Sequence, residues 1–133
     1  MKYLMLFSIL IITFFTSCKD KCNEAGTGGS ITIVAFPMHH STPIISSDTY
    51  PDSVFVKFNT QDFPGTTASS YNMVLEGEAG EDHIHIENLK CGDYFIYMTG
   101  FDITINQRVT GGIPYHVDEN APSEIDLNIP VTE

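Results

Sequence analysis

After residue 30, apolar and polar side chains alternate with a period of two, and no segment carries a helical period. Seven stretches rich in β-branched and aromatic residues read as strands: 31–36, 54–59, 71–76, 83–87, 94–101, 113–117 and 125–131. Pro37, Pro43, Pro51, Pro64-Gly65, Gly77, Gly80, Gly92, Gly111-Gly112 and Pro122 punctuate them. The expected fold is all-β, a seven-stranded antiparallel β-sandwich. One connection specifies a register. Asn88-Leu89-Lys90-Cys91-Gly92 reads as a hairpin loop that sets Glu87 against Asp93, His85 against Phe95 and His83 against Tyr97. Ile84, Ile86, Tyr94 and Ile96 then share an inner face, while His83, His85, Phe95 and Tyr97 share the outer one. A slip of one residue would bury the histidines and expose the isoleucines. In the last strand Ile125, Leu127, Ile129 and Val131 point inward.

The N-terminus follows a different pattern. Lys2 is followed by an apolar run, Tyr3 to Phe15, interrupted only by Ser8 and Thr13; Thr16-Ser17 then precedes Cys18. A charged start, a short apolar segment and small residues before a cut are the layout of a secretory signal. The run is shorter than the roughly 20 apolar residues of a membrane-spanning helix. With cysteine at the cut, the segment resembles a bacterial lipoprotein signal, although Phe15 stands where leucine is usual. The resemblance implies that Cys18 is acylated and becomes the first mature residue. Residues 1–17 are then a signal peptide, 18–29 a lipid-anchored, glycine-rich tether, and 30–133 the sandwich domain. Lys19-Asp20 resembles the charged start of surface-exported lipoproteins of Bacteroidetes. The expected location is a bacterial cell envelope, at the outer membrane, with the face left open.

Charge narrows the partners. Loss of Lys2 with the signal takes the formal charge from −11 to −12. Such acidity argues against nucleic acid and against a second, electrostatic anchor on anionic lipid. Membrane attachment then rests on acyl chains at Cys18. With Cys18 lipidated, Cys22 and Cys91 remain, and an oxidising compartment permits a bridge between them. A bridge would close a loop of about 70 residues, worth roughly 4 kcal/mol in the chain-entropy treatment. The alternative leaves Cys22 in the tether and Cys91 free.

Gly80-Glu-Asp-His-Ile-His-Ile-Glu-Asn-Leu-Lys-Cys-Gly-Asp-Tyr-Phe-Ile-Tyr resembles the signature segment of carboxypeptidase-regulatory-like, or prealbumin-like, β-sandwich domains. Ile84, Ile86, Asn88, Leu89, Gly92 and Tyr94 match its pattern, whereas Lys90 and Cys91 replace the usual two prolines. The resemblance implies a prealbumin-like, Ig-like sandwich and a non-catalytic accessory module with an unidentified protein or glycan partner.

Histidines carry the remaining chemistry. His83 and His85 sit two apart on one strand, with Cβ atoms roughly 6–7 Å apart on one face, a spacing that can present two imidazoles to one ion. His39-His40 form a second pair and His116 a fifth residue, while Glu81, Asp82 and Glu87 lie near the first pair. Two histidines with a third donor suit Zn²⁺ or Cu²⁺. A metal-binding role using His83, His85 and the His39-His40 loop is therefore the alternative reading; ordinary cross-strand pairing with Phe95 and Tyr97 is the simpler one. Intradiol ring-cleaving dioxygenases also use a His-x-His pair on a related sandwich, but there the tyrosine segment comes first. No Gly-x-Ser-x-Gly elbow is present, and the expectation is no catalytic activity and no cofactor. Phe95 and Tyr97 are a candidate partner surface, unless the loop 38–52 folds over them.

Overall fold

A computed structural model describes Cys22 and residues 24–133; the apolar run and Cys18 lie outside the described residues. The described chain forms eight strands: β1 Thr27–His39, β2 Thr42–Pro43, β3 Ser53–Phe58, β4 Met73–Glu76, β5 Ile84–Leu89, β6 Gly92–Asp102, β7 Gln107–Val117 and β8 Glu124–Pro130. Each of the seven alternating stretches falls on a strand, and the two-residue β2 is the addition. Apart from a 3-10 turn at Ala68–Ser70, no helix interrupts the described residues.

The strands form two sheets. In the first, β1 lies between β5 on one edge and β8 on the other, with β2 hooked against its end. The second runs β4-β3-β6-β7. Their inner faces meet in a single core. Ile33, Ala35, Ile84, Ile86 and Ile129 come from the first sheet, and Val54, Val56, Tyr94, Ile96, Met98, Val109 and Val117 from the second. Removing a branched side chain of this kind from water is worth roughly 1.5–3 kcal/mol. The arrangement is sandwich-like.

Two expectations about pairing are corrected. First, β8 runs parallel to β1, in register from Thr32↔Glu124 to Met38↔Pro130. The cause is where the chain turns. β7 ends at Val117, opposite Gly92, and Thr32 N–H donates to the Ser123 carbonyl at 2.8 Å, so β8 sets out from the region where β1 begins. Second, β5 and β6 are not a hairpin. β5 pairs with β1, whereas β6 lies between β3 and β7 in the other sheet. Asn88 (φ 59°) and Gly92 (φ 139°) turn the chain across the sandwich as an arch. The Tyr94 hydroxyl closes it, donating to the Lys90 carbonyl at 2.6 Å and accepting from Gly26 N–H at 3.0 Å. This is the tyrosine corner of many two-sheet folds. Tyr94, Ile96, Ile84 and Ile86 all reach the core, as alternation requires, but across it rather than side by side.

Glycines expected to supply freedom here permit contact instead. Thr27-Gly28-Gly29 belong to β1, and Ala25 is 5% exposed, so residues assigned to the tether are part of the sandwich. A Cβ on Gly29 would lie 2.0 Å from the Leu89 carbonyl oxygen. Gly111 sits inside β7 rather than at a bend before a strand; a Cβ there would lie 2.1 Å from the Pro130 carbonyl oxygen. That approach lets Thr110 and Thr132 exchange backbone hydrogen bonds of 2.8 and 2.9 Å, which stitch the two sheets along one edge. Cys22 and Cys91 form a disulfide, with Cα atoms 4.8 Å apart, that ties the N-terminal segment to the β5–β6 arch.

Candidate functional site

β1 carries the chain from the disulfide-tied end of the sandwich to the opposite end, where it stops at His39. His40 and Ser41 form the two-residue turn into β2 with left-handed φ of 48° and 66°. That is the pattern of a type I′ turn, which ordinarily uses Asn or Gly. His39 keeps inward parity and is 4% exposed. Its Nδ1 lies 2.7 Å from Asp102 Oδ2 at the end of β6, and its Nε2 lies 3.0 Å from Glu133 Oε2. Asp102 Oδ1 accepts from the backbone N–H of Thr104 at 2.7 Å and from its hydroxyl at 2.6 Å.

These contacts set the protonation. The hydrogen bond to Asp102 raises the affinity of His39 for its proton, against the opposing effect of burial, with Glu133 adding to the rise. The Thr104 hydroxyl, then the His39 ring, hold Asp102 down to about 2. The ring lies between two carboxylates that both favour its protonated form. Above it opens a cavity of about 340 Å³, walled by Ile44, Ile45, Phe101, Ile103 and Ile105. Ile45, Ile103 and Ile105 are 61%, 78% and 41% exposed. Tyr50 stacks on Phe101 with ring centroids 3.9 Å apart. The end of the sandwich farthest from the disulfide is thus an apolar cup with a charged floor.

The His40 ring packs against His39 with centroids 4.2 Å apart and planes tilted by 55°, and His39, His40 and Glu133 can bring one donor atom each within 4.8 Å. That grouping does not make a ready metal site, because both His39 nitrogens already face carboxylates.

His83 and His85 project from the outer face of the first sheet, where His85 stands opposite Val34 on β1. Their Nε2 atoms are 3.2 Å apart, and His83 Nδ1 lies 2.8 Å from Asp82 Oδ1. Phe36 packs against the His83 ring at 5.3 Å. Glu76, Glu78 and Glu81 line the same shallow basin. His39 and His40 join a different cluster, so the four histidines proposed from sequence do not form one site.

Phe95 and Tyr97 are on the opposite outer face, not beside the histidines. β5 and β6 belong to different sheets, which removes the expected cross-strand pairs. Each ring is 6% exposed, in a small outer core with Tyr71 and Phe55. Phe63 packs on both at 5.5 and 5.6 Å, and the Tyr71 hydroxyl donates to the Gly65 carbonyl at 2.7 Å. The segment between β3 and β4 therefore covers them, not the loop 38–52. His116 is engaged at its own surface, with Nδ1 2.7 Å from Asp93 Oδ1.

Three acidic residues that sequence did not single out matter here: Asp102, Glu133 and Asp52. Asp102-Ile-Thr104 has the local signature of an Asx-type turn, but nothing local ties Asp102 or Glu133 to His39. Asp52 is 1% exposed beneath the loop that follows β2, and its Oδ1 meets no hydrogen-bond donor among the described residues. Burial pushes its carboxyl up to about 6, against a backbone hydrogen bond from Phe101. Protein-family models, curated proteins and solved structures yield no match to this chain.

Proposed function

We propose that this chain is a non-catalytic, lipid-anchored binding module of a bacterial cell envelope, held at the outer membrane by acyl chains on Cys18. On this reading the two sheets are a prealbumin-like sandwich of the accessory kind, and its partner is a protein. The observation that carries the reading is the cup at the far end of β1. A strand of 13 residues spans about 43 Å, so an anchor near Cys22 holds the exposed Ile45, Ile103 and Ile105 far from the bilayer. Aliphatic walls suit the side chains of a protein partner, whereas a glycan would call for free aromatic faces, and Tyr50 is already stacked on Phe101. The fixed charges of the cup floor orient polar groups of the partner.

Two measurements test the reading. Cys18→Ala should move the protein out of the membrane fraction or block its processing; unchanged membrane association removes the lipid anchor. A photo-crosslinking residue at Ile103 in intact cells should give a discrete protein adduct that disappears with Ile45→Asp. No adduct, or one indifferent to Ile45→Asp, removes the cup as the binding surface.

A further inference from the structure

The second histidine cluster lies away from the cup and does not depend on it. We infer that the outer face of the first sheet holds a divalent transition-metal ion of the zinc or copper type, with Nε2 of His83 and Nε2 of His85 as its nitrogen ligands. The period of the strand puts both rings on one face, and the structure brings their Nε2 atoms to 3.2 Å. Two imidazole nitrogens bound 2.0–2.1 Å from a tetrahedral zinc ion lie about 3.3 Å apart. The pair is already at chelating distance.

A second feature fixes the chemistry of one ligand. Asp82 Oδ1, 2.8 Å from His83 Nδ1, accepts that nitrogen's proton in a hydrogen bond and leaves Nε2 with a free lone pair. A carboxylate behind the non-ligating nitrogen is the usual support of a metal-bound histidine, because it sets the tautomer and the ring orientation. Phe36, packed against the same ring, limits its rotation. Without an ion, His85 must turn an N–H toward His83; with one, both lone pairs meet the same cation. The ordinary cross-strand role is weak here, since His85 stands opposite Val34.

Glu76, Glu78 and Glu81 border the same basin and add negative charge beside the pair, while water supplies the remaining ligands. A chain of net charge −11 also draws cations to its surface. A pair of imidazole nitrogens is a donor set for zinc, copper or nickel rather than for magnesium or calcium. The His39 cluster, with both ring nitrogens committed to carboxylates, is the internal contrast.

The test is calorimetric titration of the purified full chain in detergent with Zn²⁺ and with Cu²⁺, and with Mg²⁺ for comparison. One transition-metal ion should bind per chain, with no comparable binding of Mg²⁺. His85→Ala, at an exposed position, should abolish binding, Asp82→Asn should weaken it about tenfold or more, and His39→Gln should leave it unchanged. Nitrogen NMR of the wild-type chain gives a readout free of folding effects: on addition of Zn²⁺, the Nε2 signals of His83 and His85 alone among the five histidines should move as ligands. Absence of zinc and copper binding, binding that survives His85→Ala, equal binding of Mg²⁺, or ligation through Nδ1 would each overturn the inference.

Discussion

Both ring nitrogens of His39 meet carboxylates, Asp102 at 2.7 Å and Glu133 at 3.0 Å, so the ring keeps its proton to higher pH in the folded chain than in the unfolded one. A group raised in this way adds stability that is complete below about pH 6.5 and lost as pH rises through the folded value. Wild type should therefore exceed His39→Gln in melting temperature by more at pH 5.5 than at pH 9. An equal gap at both pH values would mean that the folded ring holds its proton no more tightly than the unfolded one. Asp52 has the opposite character. Its folded value of about 6 is raised from 3.8, so it imposes no cost below about pH 4 and its full cost above about pH 6. Asp52→Asn should gain stability over wild type between pH 4 and pH 7.5 in chemical denaturation; a gap that does not widen over that interval would show that the buried charge is compensated. Neither role could be read from the sequence. His39 stood out only as half of a histidine pair, because its partners lie 63 and 94 residues away.

Among the elements, alternation fixes which face a residue takes but not which strand it pairs with. Ile84, Ile86, Tyr94 and Ile96 are inward in a hairpin and in an arch alike, so the pattern at 83–97 could not choose between them. The choice is made by Tyr94, whose hydroxyl holds the Lys90 carbonyl and the Gly26 N–H. Tyr94→Phe leaves the buried Gly26 N–H and the part-buried Lys90 carbonyl without that partner and should cost about 1–3 kcal/mol. Urea unfolding measures it, and a loss below about 0.5 kcal/mol would mean that the corner is dispensable. The arch is also why Phe95 and Tyr97 never meet the histidines: a sheet boundary separates residues that a hairpin would have paired. β8 teaches the same lesson. Its inward Ile125, Leu127, Ile129 and Val131 were legible as a pattern, but its parallel direction depends on where the preceding turn delivers it.

For the whole molecule, the two-sheet architecture was legible because seven alternating stretches and their breakers leave little else to build. The start of the domain was not. Thr27-Gly28-Gly29 look like linker by composition, yet Gly29 is needed where the Leu89 backbone passes through the space of a Cβ. The disulfide closes a separation of 69 residues and should contribute about 4 kcal/mol by restricting the unfolded chain. Cys22→Ser/Cys91→Ser, compared with wild type by urea unfolding in oxidising buffer, should lose stability on that scale; identical midpoints would mean that the bridge is not formed. The same bond also sets a mechanical route. Under the proposed lipid anchor at Cys18, a pull would run along the backbone only as far as Cys22 and then divide, with one branch crossing the sulfurs into the β5–β6 arch. β1 is spared from being peeled off its sheet from its free end, and the pull is shared between both sheets, because the arch is where they join. A drag on that proposed anchor would thus reach the fold as a tug on the corner where the disulfide, the arch and Tyr94 meet.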